Sequence, residues 1–166
     1  MKPARRRYLR SLAHSTALEV QQWADENAQK PGGCICPVCS HVVDYMKRSL
    51  NSGQAHSLIW LVKASGPDLE WMEPAKVAPR HVIGNREWDK LRLRGLVEAK
   101  MNEDKTKRDS GIWRPTLEGI QFAQGKTTQP EWILVYLNEV LEVSEERVFI
   151  WDAMESKFSY EELMSS

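Results

Sequence analysis

Apolar residues recur along the chain at two different spacings, and the change from one to the other marks its elements. From Leu9 to about Lys30 the apolar residues Leu9, Leu12, Ala13, Ala17, Val20, Trp23 and Ala24 fall three and four apart, which predicts a helix with one buried stripe. Pro31, Gly32 and Gly33 end it, because proline lacks a backbone donor and glycine takes up the conformations that terminate helices. A turn holding all three cysteines follows, and Ser40 is then placed to cap a helix through about Asn51, with Val43, Met46 and Leu50 inward. The next helix, about Gln54 to Ala64, gathers Ala55, Leu58, Ile59 and Val62 and is stopped by Gly66 and Pro67. It is expected to be the best-buried helix of the chain. Leu69 to Glu73 alternates as a short strand does, and a helix from about Asn85 to Arg94 turns Trp88 and Leu91 inward before Gly95 ends it.

Beyond Gly95 the period falls toward two. Leu96 to Met101 and Ile112 to Arg114 predict two strands of a hairpin whose tip, 102–111, is charged and poor in apolar residues. Thr116 can cap a helix through Phe122 and Ala123, before Gly125. A second hairpin is expected where Trp132 to Leu137 and Val140 to Val143 flank Asn138 and Glu139, and a final helix from Ser144 would bury Val148, Trp151 and Met154. The fold class expected is α+β, mostly helical: a winged helix-turn-helix at 54–125, an N-terminal helical extension with the cysteine turn at 1–53, and a C-terminal hairpin and helix at 126–166 packing on the core.

Length and composition add bounds. A chain of 166 residues, 42% hydrophobic and 28% charged, suits one good core with appendages, and no apolar run approaches the roughly 18 residues of a membrane span. No secretory pattern follows the basic start (Lys2, Arg5, Arg6, Arg7, Arg10), so a cytoplasmic protein without a membrane partner is expected. The net charge of zero conceals a polarity: the first ten residues are basic, whereas 139–166 carries eight acidic side chains against Arg147 and Lys157.

The run Trp88-Asp-Lys-Leu-Arg-Leu-Arg-Gly-Leu-Val-Glu98, a charged gap, then Ile112-Trp-Arg-Pro-Thr-Leu-Glu-Gly-Ile-Gln-Phe122 resembles the recognition helix, wing and closing helix of MarR-like regulators. That resemblance implies a winged helix whose helix and wing bind duplex DNA, as a homodimer built with a terminal helix. Cys36-Pro-Val-Cys39, Tyr45-Met-Lys-Arg48, Leu58-Ile-Trp-Leu-Val62 and Phe158-Ser-Tyr-Glu-Glu-Leu-Met164 are similar to segments of phage-encoded proteins, which implies a viral context and no mechanism.

On the helix, Arg86, Lys90 and Arg94 fall at i, i+4 and i+8 with Arg92 a little off the line, a row of cations on an element able to enter a major groove. Lys105, Lys107, Arg108 and Arg114 add charge on the wing. Glu87, Asp89 and Asp109 dilute them, and 85–114 holds nine basic against six acidic side chains, little for a DNA reader. The competing expectation is a solvated face laced with intrahelical pairs. The scaffold would then bind a host or viral protein, with Trp71, Trp113, Trp132 and Tyr136 supplying an exposed aromatic patch.

Cys34-Ile-Cys36-Pro-Val-Cys39-Ser-His41 packs three thiols and an imidazole into one short loop. A C-P-x-C turn aims two sulfurs at one centre, which suits tetrahedral zinc, so Cys34, Cys36, Cys39 and His41 are the candidate ligands. The motif is half a zinc finger, since no second C-x-x-C exists, and His14, His56 or His81 are alternative fourth ligands. Thiols packed as small apolar residues and a redox-sensitive C-x-x-C remain open beside zinc. No phosphate-binding glycine loop, Gly-x-Ser-x-Gly elbow or His-Glu-x-x-His helix occurs, and the scattered histidines form no dyad, so a non-enzyme is expected.

Overall fold

Thr16 opens the first described helix by closing a capping box: its Oγ1 accepts the Glu19 amide at 3.3 Å, and the Glu19 carboxylate accepts the Thr16 amide at 2.6 Å. The helix it starts, α1 (Ala17–Ala28), buries Ala24 and Ala28. The structure, a computed structural model, describes residues 16–30, 32–83, 87–102, 110–154 and 160, so the predicted start at Leu9 lies outside the described residues.

The helix expected from Ser40 to Asn51 does not form; the chain there is extended. β1 (Cys34–Ile35) pairs antiparallel with β2 (Val42–Val43), with Cys34 opposite Val43, and β3 (Met46–Ser49) follows. Two causes are visible. Ser40 sits at φ 63°, which bends the chain back instead of opening a helix, and the turn is closed by Ser40 N–H to the Cys36 carbonyl (2.9 Å) and Cys36 N–H to the His41 carbonyl (2.8 Å). Val42 and Val43 are also β-branched, and their side chains are stiff against a helix.

The chain divides into two compact units, one of 1–47 with 134–142 and one of 48–133 with 143–166. The C-terminal hairpin therefore contributes most of its length to the first unit.

In the second unit the core forms around α2 (Ser52–Ser65), capped by Asn51 Oδ1, which accepts the Gln54 amide at 3.0 Å. The helix buries residues on more than one face: Ala55, Leu58 and Ile59 as patterned, and Leu61 where Val62 was expected. Fully burying one such leucine is worth roughly 1.5–3 kcal/mol. Against it pack Leu91, Leu96, Val97, Phe122 and Ile150. The expected short strand shrinks to a bridge at Met72, whose N–H and carbonyl both bond Trp113 at 2.8 Å. Short helices α3 (Pro74–Val77) and α4 (Arg80–Ile83) lead to α5 (Trp88–Leu93). Gly95, at φ 72°, then turns the chain into β4 (Val97–Ala99), a conformation that costs glycine little.

β4 pairs antiparallel with β5 (Trp113–Pro115), placing Glu98 opposite Arg114. Thr116 does cap the next helix, α6 (Leu117–Ala123): its Oγ1 accepts the Gly119 amide at 3.0 Å and donates to the Gly95 carbonyl at 2.7 Å. Trp88 lies 6.2 Å from Trp60 and 6.3 Å from Trp113, ring centre to ring centre, closing the core under α5.

Past α6, β6 (Gln129–Pro130) pairs with β9 (Arg147–Val148), where the final helix was expected. Ser144 N–H bonds the Trp132 carbonyl and Glu131 N–H the Glu146 carbonyl, both at 2.9 Å, so strand pairing holds this segment extended. Only Ile150–Ala153 coils, as a 3₁₀ turn that buries Ile150 and leaves Trp151 exposed. The second hairpin forms as β7 (Trp132–Tyr136) and β8 (Glu139–Val143), in a sheet of order β3–β7–β8. Its turn residues are Leu137 and Asn138, both with positive φ (49° and 66°), one position earlier than the pattern predicts.

A Cβ added at Gly119 would stand 2.0 Å from the backbone oxygen of Leu96, which cannot move without shifting β4. Gly119→Ala is expected to cost about 1–3 kcal/mol or more, read as a lower urea midpoint. Leu117→Ala, two residues earlier on the exposed face of α6, should stay within about 0.5 kcal/mol of the parent.

Candidate functional site

Two groups of candidate residues can be placed: the cations of the second unit and the thiols of the first.

Helix α5 sets the first group. Lys90 Nζ lies 2.8 Å from Glu87 Oε1, and the other Glu87 oxygen accepts from Gln54 Nε2 at 3.1 Å. Glu87 is buried, so Lys90 balances a carboxylate that would otherwise be costly to desolvate. Arg92 reaches Asp89 at 3.9 Å on the surface. Arg114 bonds Glu98 Oε1 at 2.5 Å across the β4–β5 pair, and its guanidinium lies over the Trp71 ring at 4.4 Å.

Arg94 departs most from expectation. It is not on an outer row with Lys90 but is only 9% exposed, because α5 stops at Leu93 and the turn before Gly95 rotates it inward. Its guanidinium donates to the carbonyls of Pro130 (2.7 Å), Arg48 (2.8 Å) and Glu131 (3.3 Å). Burial pushes its pKa down to about 10, still charged at neutral pH. Arg86, Lys105, Lys107 and Arg108 lie outside the described residues. Every cation of the expected DNA face that can be placed therefore has a partner within the chain.

The aromatic patch also changes. Trp113 and Tyr136 are buried, and Trp71 and Trp132 are half-buried, so these four do not make an exposed cluster. Exposed apolar side chains lie elsewhere: Leu18, Ile35, Val38, Val42, Leu137 and Leu141 in the first unit, and Val77, Met101 and Leu117 among those of the second.

The thiols sit on the β1–β2 turn. The Cys39 amide foremost, helped by the Val38 amide and the Cys39 thiol, holds Cys36 below the usual cysteine range against the opposing effect of burial. Burial pushes Cys34 up, with Cys36 adding to it, and its thiol is directed at the Ala24 carbonyl 3.9 Å away. Cys39 and His41 are exposed. All three cysteines are free thiols. Among the described residues no group of three His, Cys, Asp or Glu side chains is gathered to hold a metal ion, so Cys34 and His41 do not join Cys36 and Cys39 round one centre. His14 lies outside the described residues, and His56 is buried within α2.

Beside this turn is a feature the sequence does not announce. A groove of about 530 Å³ runs between α1, the cysteine turn and the β7–β8 hairpin, lined by Val20, Cys36, Val38, Cys39, Tyr136 and Leu137 among others. Tyr136 is fixed on its wall: its hydroxyl donates to the Asp25 carboxylate and its ring stacks on Tyr45, 4.6 Å between centroids and 12° from parallel. Burial first, then the bond to Asp25, raises the phenol pKa above its usual range, keeping it a neutral donor.

No protein-family model, curated protein or solved structure matches the chain. Among the described residues no helix is long and apolar enough to cross a membrane.

Arg94→Met should cost about 2–4 kcal/mol by urea unfolding, because three carbonyls lose their donor. Arg92→Ala should change stability by less than about 0.5 kcal/mol, as expected of an exposed, longer pair. Equal effects of the two substitutions would contradict the placement of Arg94.

Proposed function

We propose that the chain is a protein-binding accessory factor: a winged-helix unit serves as scaffold, and the smaller unit carries the binding surface. Support for the winged helix is the order α2, bridge at Met72, short helices, α5, β4, polar connection, β5 and α6, in which α5 occupies the recognition-helix position. Reading duplex DNA would require cations free for phosphate, yet Lys90, Arg92 and Arg114 each lie against an acid and Arg94 is spent on carbonyls.

The observation that carries the protein-binding reading is the apolar groove with Val38 and Leu137 at its rim, 71% and 56% exposed. Large apolar side chains held open beside a concave apolar surface lose solvent contact favourably when a partner covers them. Tyr136 and Asp25 give that surface a fixed polar anchor beneath the apolar rim. The occupant that fits is a partner segment presenting apolar side chains.

The test compares three versions of the full chain: wild type, Val38→Asp with Leu137→Asp, and Lys90→Ala with Arg92→Ala. One protein should be recovered stoichiometrically from nuclease-treated lysate on the wild type and on the Lys90/Arg92 variant, and be lost on the Val38/Leu137 variant. It should rebind when purified. A salt-sensitive shift of a DNA duplex that disappears in the Lys90/Arg92 variant, with capture unchanged by the Val38/Leu137 pair, would overturn the reading in favour of DNA.

A further inference from the structure

Strand β8 ends the order β3–β7–β8: β7 pairs with one of its edges, and among the described residues no strand pairs with the other. Ladder bonds alternate along an antiparallel strand, so every second residue of β8 turns its N–H and carbonyl toward that outer edge. Such groups are a template for one more strand. The side chains of β8 are exposed throughout, from Glu139 to Val143. All of these residues up to Glu142 belong to the smaller unit.

Successive side chains of a strand point to opposite faces, so Glu139 and Leu141 share one face of β8, and Val140 and Glu142 the other. Each face therefore offers one acid and one apolar group, with Val140 37% and Leu141 50% exposed. Among the described residues neither glutamate has a cation within ion-pair distance. From Leu137 to Glu146 the sequence holds four acidic and no basic side chains.

That charge pattern selects the occupant. Pairing β8 antiparallel with its own copy, Val140 opposite Leu141, would set Glu139 against Glu142 at both ends, and like charges directly opposite are destabilising. A cation opposite each glutamate and an apolar residue opposite Val140 and Leu141 satisfy the strand on both faces. The resulting pattern, basic–apolar–apolar–basic, reads the same in either direction, so it suits parallel and antiparallel addition alike.

We propose that the outer edge of β8 is a strand-addition site, which takes an extended partner segment of the pattern basic–apolar–apolar–basic. Main-chain bonds to the open edge hold the segment, and its side chains set which segment is accepted. The inference rests on the reading of the smaller unit as the protein-binding side, and it adds the sequence class of the partner. The strand starts two residues past Leu137 at the groove rim.

The experiment titrates the full chain with the blocked hexapeptide Thr-Lys-Val-Val-Lys-Thr and follows backbone amide resonances and amide hydrogen exchange. Binding should shift and protect amides within 139–142. The peptide Thr-Glu-Val-Val-Glu-Thr should bind about tenfold more weakly, since two opposed charge pairs change sign. In Glu139→Lys with Glu142→Lys the preference should reverse, a gain of binding that a misfolded variant would not show. The lysine peptide with every internal amide N-methylated should not bind.

No response at millimolar lysine peptide, equal binding of the N-methylated form, or a preference unchanged by the double lysine variant would each overturn the proposal. The two readings fail separately. Lysate capture that survives Glu139→Lys with Glu142→Lys but is lost with Val38→Asp and Leu137→Asp keeps the groove and removes the edge. Charge-selective peptide binding by a chain that captures nothing keeps the edge and removes the groove.

Discussion

The buried guanidinium of Arg94 is the constraint on which the second unit's arrangement depends. A planar cation with its donors in a fixed fork can bond several carbonyls at once only if those carbonyls converge, and here they come from Arg48 on one side and from Pro130 and Glu131 on the other. The same place is tied by Leu50 N–H to the Glu131 carbonyl at 3.0 Å. The entry to α2 and the start of β7 are therefore pinned to the end of α5. Desolvating the charge is costly and is offset only while all three acceptors stay in position, so the contact specifies geometry more than it adds stability.

From that point the rest of the unit follows by packing. Arg94 and Gly95 form the turn that carries the chain from α5 into β4, Thr116 reaches back to the Gly95 carbonyl, and Gly119 lies against the Leu96 backbone where no Cβ fits. A helix, a strand and a second helix thus meet within van der Waals distance at residues 94–96 and 116–119. Tyr160 adds a closing contact, its hydroxyl donating to the Ala123 carbonyl at 2.8 Å beside Trp151. Helix α5 is thereby held at its C-terminal end, and Lys90 and Arg92 on it lie against neighbouring acids.

Elements whose signal is local were legible in the sequence. The periodicity of 54–64, the Thr116 cap and the alternation of 132–143 each depend on residues a few positions apart, and each corresponds to an element of the expected type. What failed was decided at a distance. Ser144 onward has a helical pattern, but pairing of 129–132 with 144–148 offers its backbone a ladder instead. Ser40 resembles a helix cap in sequence, while the β1–β2 pairing makes it the corner of a hairpin. Arg94 matched a helical row of cations, and only the placement of residues 48 and 130 shows that it points inward. The groove joins α1 and the cysteine turn to a hairpin about ninety residues later, which no local spacing encodes.

The cysteine turn stands between these cases. Its two-residue spacing was readable and a tight turn does form there, but the four-ligand set drawn from the same short loop required Cys34 and His41 to reach the same centre. Strand pairing sets Cys34 opposite Val43 in β1 with its thiol toward the Ala24 carbonyl, a placement decided by α1 and β2 and not by spacing within the loop.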